Sequence, residues 1–111
     1  MPTMVMYHKP VLLEESIEGL VWKANGTYID LTFGGGGHSR AILELLQGGR
    51  LFAFDQDQDA ARNAEGLDLT FVQANFRHLK RYMRLYGVGQ VEGILADLGV
   101  SSHQFDVPDR G

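Results

Sequence analysis

Residues 28–40, YIDLTFGGGGHSR, constrain this chain more than any other stretch. An apolar run rich in aromatic and β-branched residues meets four consecutive glycines, and a helix-like start follows at Ser39. Glycine loses more conformational freedom on folding than any other residue. Four in a row therefore cost stability unless the backbone turns sharply there or comes close to something. Strand, tight turn and helix in that order open a βα unit.

The rest of the chain repeats the unit. RLFAFD, LTFVQAN and VEGILADL are short and apolar, as strands buried on both faces are. Between them lie segments with helical periodicity. Residues 39–46 turn Ile42, Leu45 and Leu46 inward, residues 57–64 are capped by Asp57, and residues 76–86 carry a stripe of Leu79, Tyr82, Met83 and Tyr86. Gly48, Gly66 and Gly87 follow these segments, where a helix end calls for a left-handed residue. A further helix over residues 10–21 precedes the first strand, with Val11, Leu13, Ile17, Leu20 and Val21 on one face. Strands alternating with helices pair in parallel through right-handed crossovers. The expected fold is α/β and Rossmann-like, a parallel sheet with flanking helices that stops after its fourth strand. The open edge of that strand invites self-association into a homo-oligomer.

Composition narrows the function classes. A chain of 111 residues supports one core, and the absence of cysteine excludes disulfides and thiolate zinc sites and fits a reducing, cytoplasmic setting. No apolar run approaches the roughly 20 residues that a membrane helix needs. Histidines at positions 8, 78 and 103 have no metal-ligand spacing, so no metal is assigned. A net charge of -4 argues against a broadly basic nucleic-acid surface. The densest cationic run, Arg77, His78, Lys80, Arg81 and Arg84, reads as the solvated face of the third helix, remote from the crevice, with RNA contact as the alternative.

In a doubly wound sheet, ligands sit at the carboxyl ends of the strands, near the point where strand order reverses. Four loops meet there. In the first, Gly34 and Gly36 approach a GxGxxG spacing, with Ser39 at the third glycine position, and the helix start offers free N–H groups. Asp55 ends the second strand, where a carboxylate accepts hydrogen bonds from both ribose hydroxyls of an adenosine cofactor. Asp57 and Asp59 read as helix-capping charges. Asn75 and Phe76 either border an adenine or, in the case of Phe76, staple the next helix to the core. Asp97, at the end of the apolar strand GILA, needs solvent or a partner and aims at the crevice. Nicotinamide dinucleotide and S-adenosylmethionine both fit a glycine loop with a downstream acid. The methyl donor carries no pyrophosphate, so a looser loop with Ser39, and Asp97 nearby, suits it better. A NAD-dependent oxidoreductase and a non-catalytic cofactor-binding fragment stand as the alternatives.

The segments HKPVLLEE, YIDLTFGGGGHSRAIL, FAFDQD, ANF and GILADLGVSSHQFD occur in collinear order. Together they resemble the bacterial small-subunit ribosomal RNA cytosine-N(4) methyltransferase family. The resemblance implies a class I, S-adenosylmethionine-dependent enzyme that methylates the exocyclic amino group of a decoding-site cytosine in ribosomal RNA. Carried over by position, it places the cofactor against Gly36, Gly37, His38, Asp55, Phe76, Asp97 and Gln104, with Asp97 as the catalytic polar anchor. His103 and Phe105 stand where the family usually has proline and leucine. Family members continue past residue 111 into a helical insertion and further strands, so residues 1–111 read as the amino-terminal part of one methyltransferase domain, inactive alone.

Overall fold

The computed structural model describes residues 17–96, 99–101 and 104–107. Among the described residues the strands run in chain order: β1 Thr27–Asp30, β2 Arg50–Phe54, β3 Thr70–Val72, β4 Gln90–Val91, β5 Gly93–Ala96, β6 Gly99–Ser101 and β7 Phe105–Asp106. The helices are α1 Gly37–Leu45, α2 Ala60–Ala64 and α3 Leu79–Leu85, with a 3-10 turn at Phe76–His78. Of the helix expected over residues 10–21, residues 17–20 are described and are helical; the remainder lies outside the described residues.

The main sheet has the order β3-β2-β1-β5-β6. β1 pairs in parallel with β2 on one side and with β5 on the other, and β2 pairs in parallel with β3. The chain thus builds outward from β1 in one direction and then crosses back to its other side. The reversal point falls between β1 and β5, where a ligand crevice is expected.

Alternation along the strands fixes what covers each face. Tyr28, Leu51 and Leu95 face a layer made by Ile17, Leu20 and Ile42, while Ile29, Phe52 and Phe54 face Met83, Val88 and Val91. Each fully buried side chain of this size contributes about 1.5–3 kcal/mol, which is why both faces of so short a sheet are covered. Phe33, Ala53 and Ala60 form a third cluster under the glycine loop. Gly48, Gly66 and Gly87 take φ values of +79°, +83° and +75°, the left-handed conformation that ends each helix.

Three expectations are corrected. The open edge of the fourth sheet strand is covered: the chain reverses after β5, and β6 pairs antiparallel with it, Ala96 opposite Gly99 and Ile94 opposite Ser101. The same hairpin continues into a small antiparallel ribbon of β4 and β7, Val91 opposite Phe105. The second helix begins at Ala60 rather than at residue 57, because Asp55 and Asp57 each accept the N–H two residues on, at 2.9 Å, and hold that stretch in turns. Leu45, expected inward, is 36% exposed on α1, and Ile42 alone of the expected stripe is buried there.

Candidate functional site

Only two of the four glycines after β1 are required by backbone geometry. Gly34 and Gly36 have φ of +46° and +89°, which a side chain tolerates poorly. A Cβ at Gly36 would also stand 3.4 Å from the Phe33 ring. Gly35 and Gly37 have no such constraint, and a Cβ at either would meet nothing within 4 Å. Their bareness is not demanded by protein packing, and it leaves the backbone open to an approaching ligand.

Gly34 is clamped from two sides. Its N–H donates to Asp55 Oδ2 at 3.0 Å, and its carbonyl accepts from Asn63 Nδ2 of α2 at 3.0 Å. Asp55 therefore ties the end of β2 to the loop after β1. Its other oxygen accepts the Asp57 N–H at 2.9 Å. A carboxylate oxygen accepts more than one hydrogen bond, so both oxygens keep capacity toward the crevice.

That crevice has a volume of about 340 Å³ and is lined by Leu31, Thr32, Gly34, Phe54, Asp55 and Phe76, among others. The size falls in the usual range for small-molecule sites, ~300–1,000 Å³. Phe76 does not staple the helix to the core: it is 60% exposed, with its ring on the crevice wall. Asn75 instead starts the turn, its side chain accepting the Arg77 N–H at 2.9 Å.

Beneath the loop lies a polar chain that sequence reasoning missed. Asp30, at the end of β1, is fully buried. Its Oδ1 accepts from the Thr32 N–H and from the Thr32 hydroxyl, both at 2.7 Å, and its Oδ2 accepts from the Ser39 hydroxyl at 2.7 Å. Thr32 Oγ1 also lies 2.7 Å from His38 Nδ1. A hydroxyl has one proton; with that proton given to Asp30, the Thr32 oxygen accepts from His38 Nδ1–H. In a neutral ring His38 Nε2 is then the acceptor. The third glycine position, where a small residue lets helix and strand approach, is used by Ser39 to lock α1 onto β1. An aspartate inside an otherwise apolar strand, nine residues before a serine at that position, was the available signal.

Gln104 is not brought to the crevice. The β5–β6 hairpin carries it back toward the amino end of the sheet, where its Nε2 lies 3.4 Å from Glu92 Oε2. Asp97 lies outside the described residues. Gly36 is buried beneath the loop, Gly37 is exposed at the first turn of α1, and His38 is half-buried beside it.

The amino end of the sheet holds a second buried acid. Glu92 is 5% exposed, and its Oε1 accepts the Thr27 N–H at 2.6 Å. A Cβ at Gly26 would meet that oxygen at 2.8 Å. Tyr28 hydroxyl donates to the Lys23 carbonyl at 2.9 Å and accepts the Lys23 N–H at 3.0 Å. Burial pushes the Tyr28 phenol above its ordinary value; the Lys23 backbone contact opposes this, and the charge of Glu92 adds to it.

Comparison with known proteins decides the family. The model of the MraW methylase family matches residues 5–111. The chain belongs to the MraW methylase family. It is similar to proteins named ribosomal RNA small subunit methyltransferase H from Cytophaga hutchinsonii, 60% identical over 109 residues, and Flavobacterium johnsoniae, 57% identical over 113 residues. These alignments cover 96% and 100% of this chain and 37% of each relative. The chain thus spans little more than a third of the length of the curated relatives it matches. In fold it is similar to the crystal structure of an rRNA methylase from Streptococcus thermophilus, with a TM-score of 0.54 and 18% identity over 68% of this chain and 49% of that one. The fold is the α/β, Rossmann-like methyltransferase fold. Family membership favours the methyl-donor reading of the crevice over the nicotinamide one. Among the described residues, no helix is long and apolar enough to cross a membrane.

Proposed function

We propose that this chain is the cofactor-binding part of an S-adenosylmethionine-dependent methyltransferase acting on the exocyclic amino group of a cytosine in small-subunit ribosomal RNA. The observation that carries the reading is the clamp at the crevice mouth, where Asp55 at the end of β2 holds the Gly34 N–H at 3.0 Å and shares a wall with Phe76. In this reading the remaining acceptor capacity of Asp55 takes the two ribose hydroxyls. Phe76 offers an exposed ring to the adenine face. Gly37, bare and exposed at the helix start, gives the backbone room to meet the methionine part; Gly36, buried beneath it, comes to this reading from the family resemblance. His38, with Nδ1 committed to Thr32, presents Nε2 as an acceptor to the cationic amino group of that part.

When bound, S-adenosylmethionine supplies an electrophilic methyl group on a sulfonium. The chain's contribution is position. The amino nitrogen of cytosine is a weak nucleophile because its lone pair is delocalised into the ring, so holding it in line with the methyl carbon is worth a large share of the rate. The base must be unstacked to enter the crevice. Asp97 comes to this proposal from the family resemblance, as the acceptor for the amino N–H; Gln104, held beside Glu92 at the other end of the sheet, has no part in it. The protein works in the cytoplasm.

Calorimetric titration with S-adenosylhomocysteine tests this reading. One-to-one binding that Asp55→Ala weakens about a hundredfold, the value of two hydrogen bonds to a charged group, is the expected result. Unchanged affinity in Asp55→Ala would sink the assignment. In a chain extended to the length of its relatives, Asp97→Ala is expected to abolish methylation, and near-normal turnover at saturating cofactor rules out its role.

A further inference from the structure

The cationic run on the third helix is not remote from the crevice. Phe76 lines the crevice wall and begins the 3-10 turn that leads directly into α3. Arg77, Lys80, Arg81 and Arg84 follow at i, i+3, i+4 and i+7, the spacing that puts side chains on one face of a helix. The opposite face of the same helix is committed to the core through Met83, Leu79 and Tyr82. All four cations are exposed. No acidic residue stands anywhere between Asp68 and Glu92, so this stretch carries +4 while the rest of the chain carries -8. A repelling background makes a local cluster of this kind a marked feature of the surface potential.

An exposed ring accompanies the charges at the crevice end, where Phe76 is 60% exposed. Tyr86 belongs to the opposite, core-facing side of the helix and rests on the buried Phe52 with ring centroids 5.3 Å apart. Cations that track a phosphate backbone, with aromatic surfaces for unpaired bases, are the two ingredients of single-strand recognition.

We propose that the exposed cationic face of α3, which begins beside Phe76 at the crevice, holds the single-stranded RNA flanking the target base, with Arg77, Lys80, Arg81 and Arg84 on its phosphates. The proposal rests on the RNA methyltransferase reading above and names the surface of this chain that delivers the substrate. A base extruded from a strand on this face has the crevice wall at Phe76 as its nearest opening. An acidic protein partner fits the charge but gives the exposed Phe76 ring nothing to stack on.

The test is fluorescence anisotropy of a labelled 12-nucleotide single-stranded RNA against the 111-residue chain, measured across salt concentrations. Each phosphate neutralised on a single strand contributes about -0.7 to the slope of log affinity against log salt. The double variant R77Q/R81Q is expected to flatten the slope by about 1.4 and to weaken binding about 25-fold at 0.1 M salt. Lys23→Gln, at the amino end of the sheet, is expected to change neither. Equal slopes for wild type and R77Q/R81Q overturn the proposal, as does a loss in Lys23→Gln of the same size. Displacement of the RNA by polyglutamate at equal charge also overturns it, because the face would then be a surface for acidic protein. S-adenosylhomocysteine affinity, measured on the same samples, separates the two readings. Retained cofactor binding with an unchanged RNA slope refutes the surface alone, and lost cofactor binding with the expected slope refutes the cofactor site alone.

Discussion

The two ends of the central sheet each bury an acid, and they use it differently. At the amino end, Glu92 ties β5 to the start of β1 through the Thr27 N–H, and the side chain is enclosed by Gly26. At the carboxyl end, Asp30 gathers two hydroxyls and a backbone N–H and passes the chain of hydrogen bonds through Thr32 to the half-buried His38. Both acids are satisfied, as buried polar groups must be. One network ends in packed structure, and the other includes Thr32, which lines the crevice. Burial of a charged side chain is therefore not by itself a sign of function; the direction in which its network leads is the informative part.

Substitutions that separate the two ends sharpen this contrast. Asp30→Ala is expected to have the largest effect: three donors lose their acceptor, and about 3 kcal/mol of stability goes with them. Urea denaturation reads that loss, and calorimetry on the folded fraction reads a weaker affinity for S-adenosylhomocysteine, because His38 is no longer oriented. Glu92→Ala is expected to cost about 2 kcal/mol by stranding the Thr27 N–H, with cofactor affinity unchanged. If Glu92→Ala weakened the cofactor as much as Asp30→Ala does, the distinction between the ends would be lost. Within the glycine loop, Gly36→Ala is expected to cost about 1–2 kcal/mol, since alanine must adopt a left-handed conformation there against the Phe33 ring. Gly35→Ala, in ordinary backbone and open space, is expected to change stability by no more than about 0.5 kcal/mol in the same denaturation assay.

Much of this arrangement was legible in the chain. Strand positions, the left-handed caps at Gly48, Gly66 and Gly87, and the meeting of Asp55 with the glycine loop follow from local signals: apolar period, glycine placement, and an acid at a strand end. Two features were not. The Asp30 network joins a strand to a helix nine residues on; an aspartate in an apolar strand ahead of that serine hints at it, but only the packing of α1 on β1 shows that the carboxylate faces the serine hydroxyl rather than water. The β5–β6 hairpin is the second. Its segment, rich in glycine and serine, reads as a crevice loop, whereas the antiparallel register that carries Gln104 to Glu92 is set by pairing with a strand already held in the sheet. The glycine run itself was half legible: that it marks a close approach was clear, but only backbone angles separate Gly34 and Gly36, which the turn needs, from Gly35 and Gly37, which it does not. The cationic face of α3 was visible as a run of charges, and its proximity to the crevice came only with the position of Phe76.

The contrast between the ends comes down to whether the carboxyl-end crevice takes an adenosine cofactor of the methyl-donor class. Parallel titration of the chain with S-adenosylhomocysteine and with NADH, in wild type and Asp55→Ala, measures this directly. Saturable one-to-one heat with S-adenosylhomocysteine, absent with NADH and about a hundredfold weaker in Asp55→Ala, is the predicted result. Binding of NADH in preference, or S-adenosylhomocysteine binding indifferent to Asp55, would contradict it.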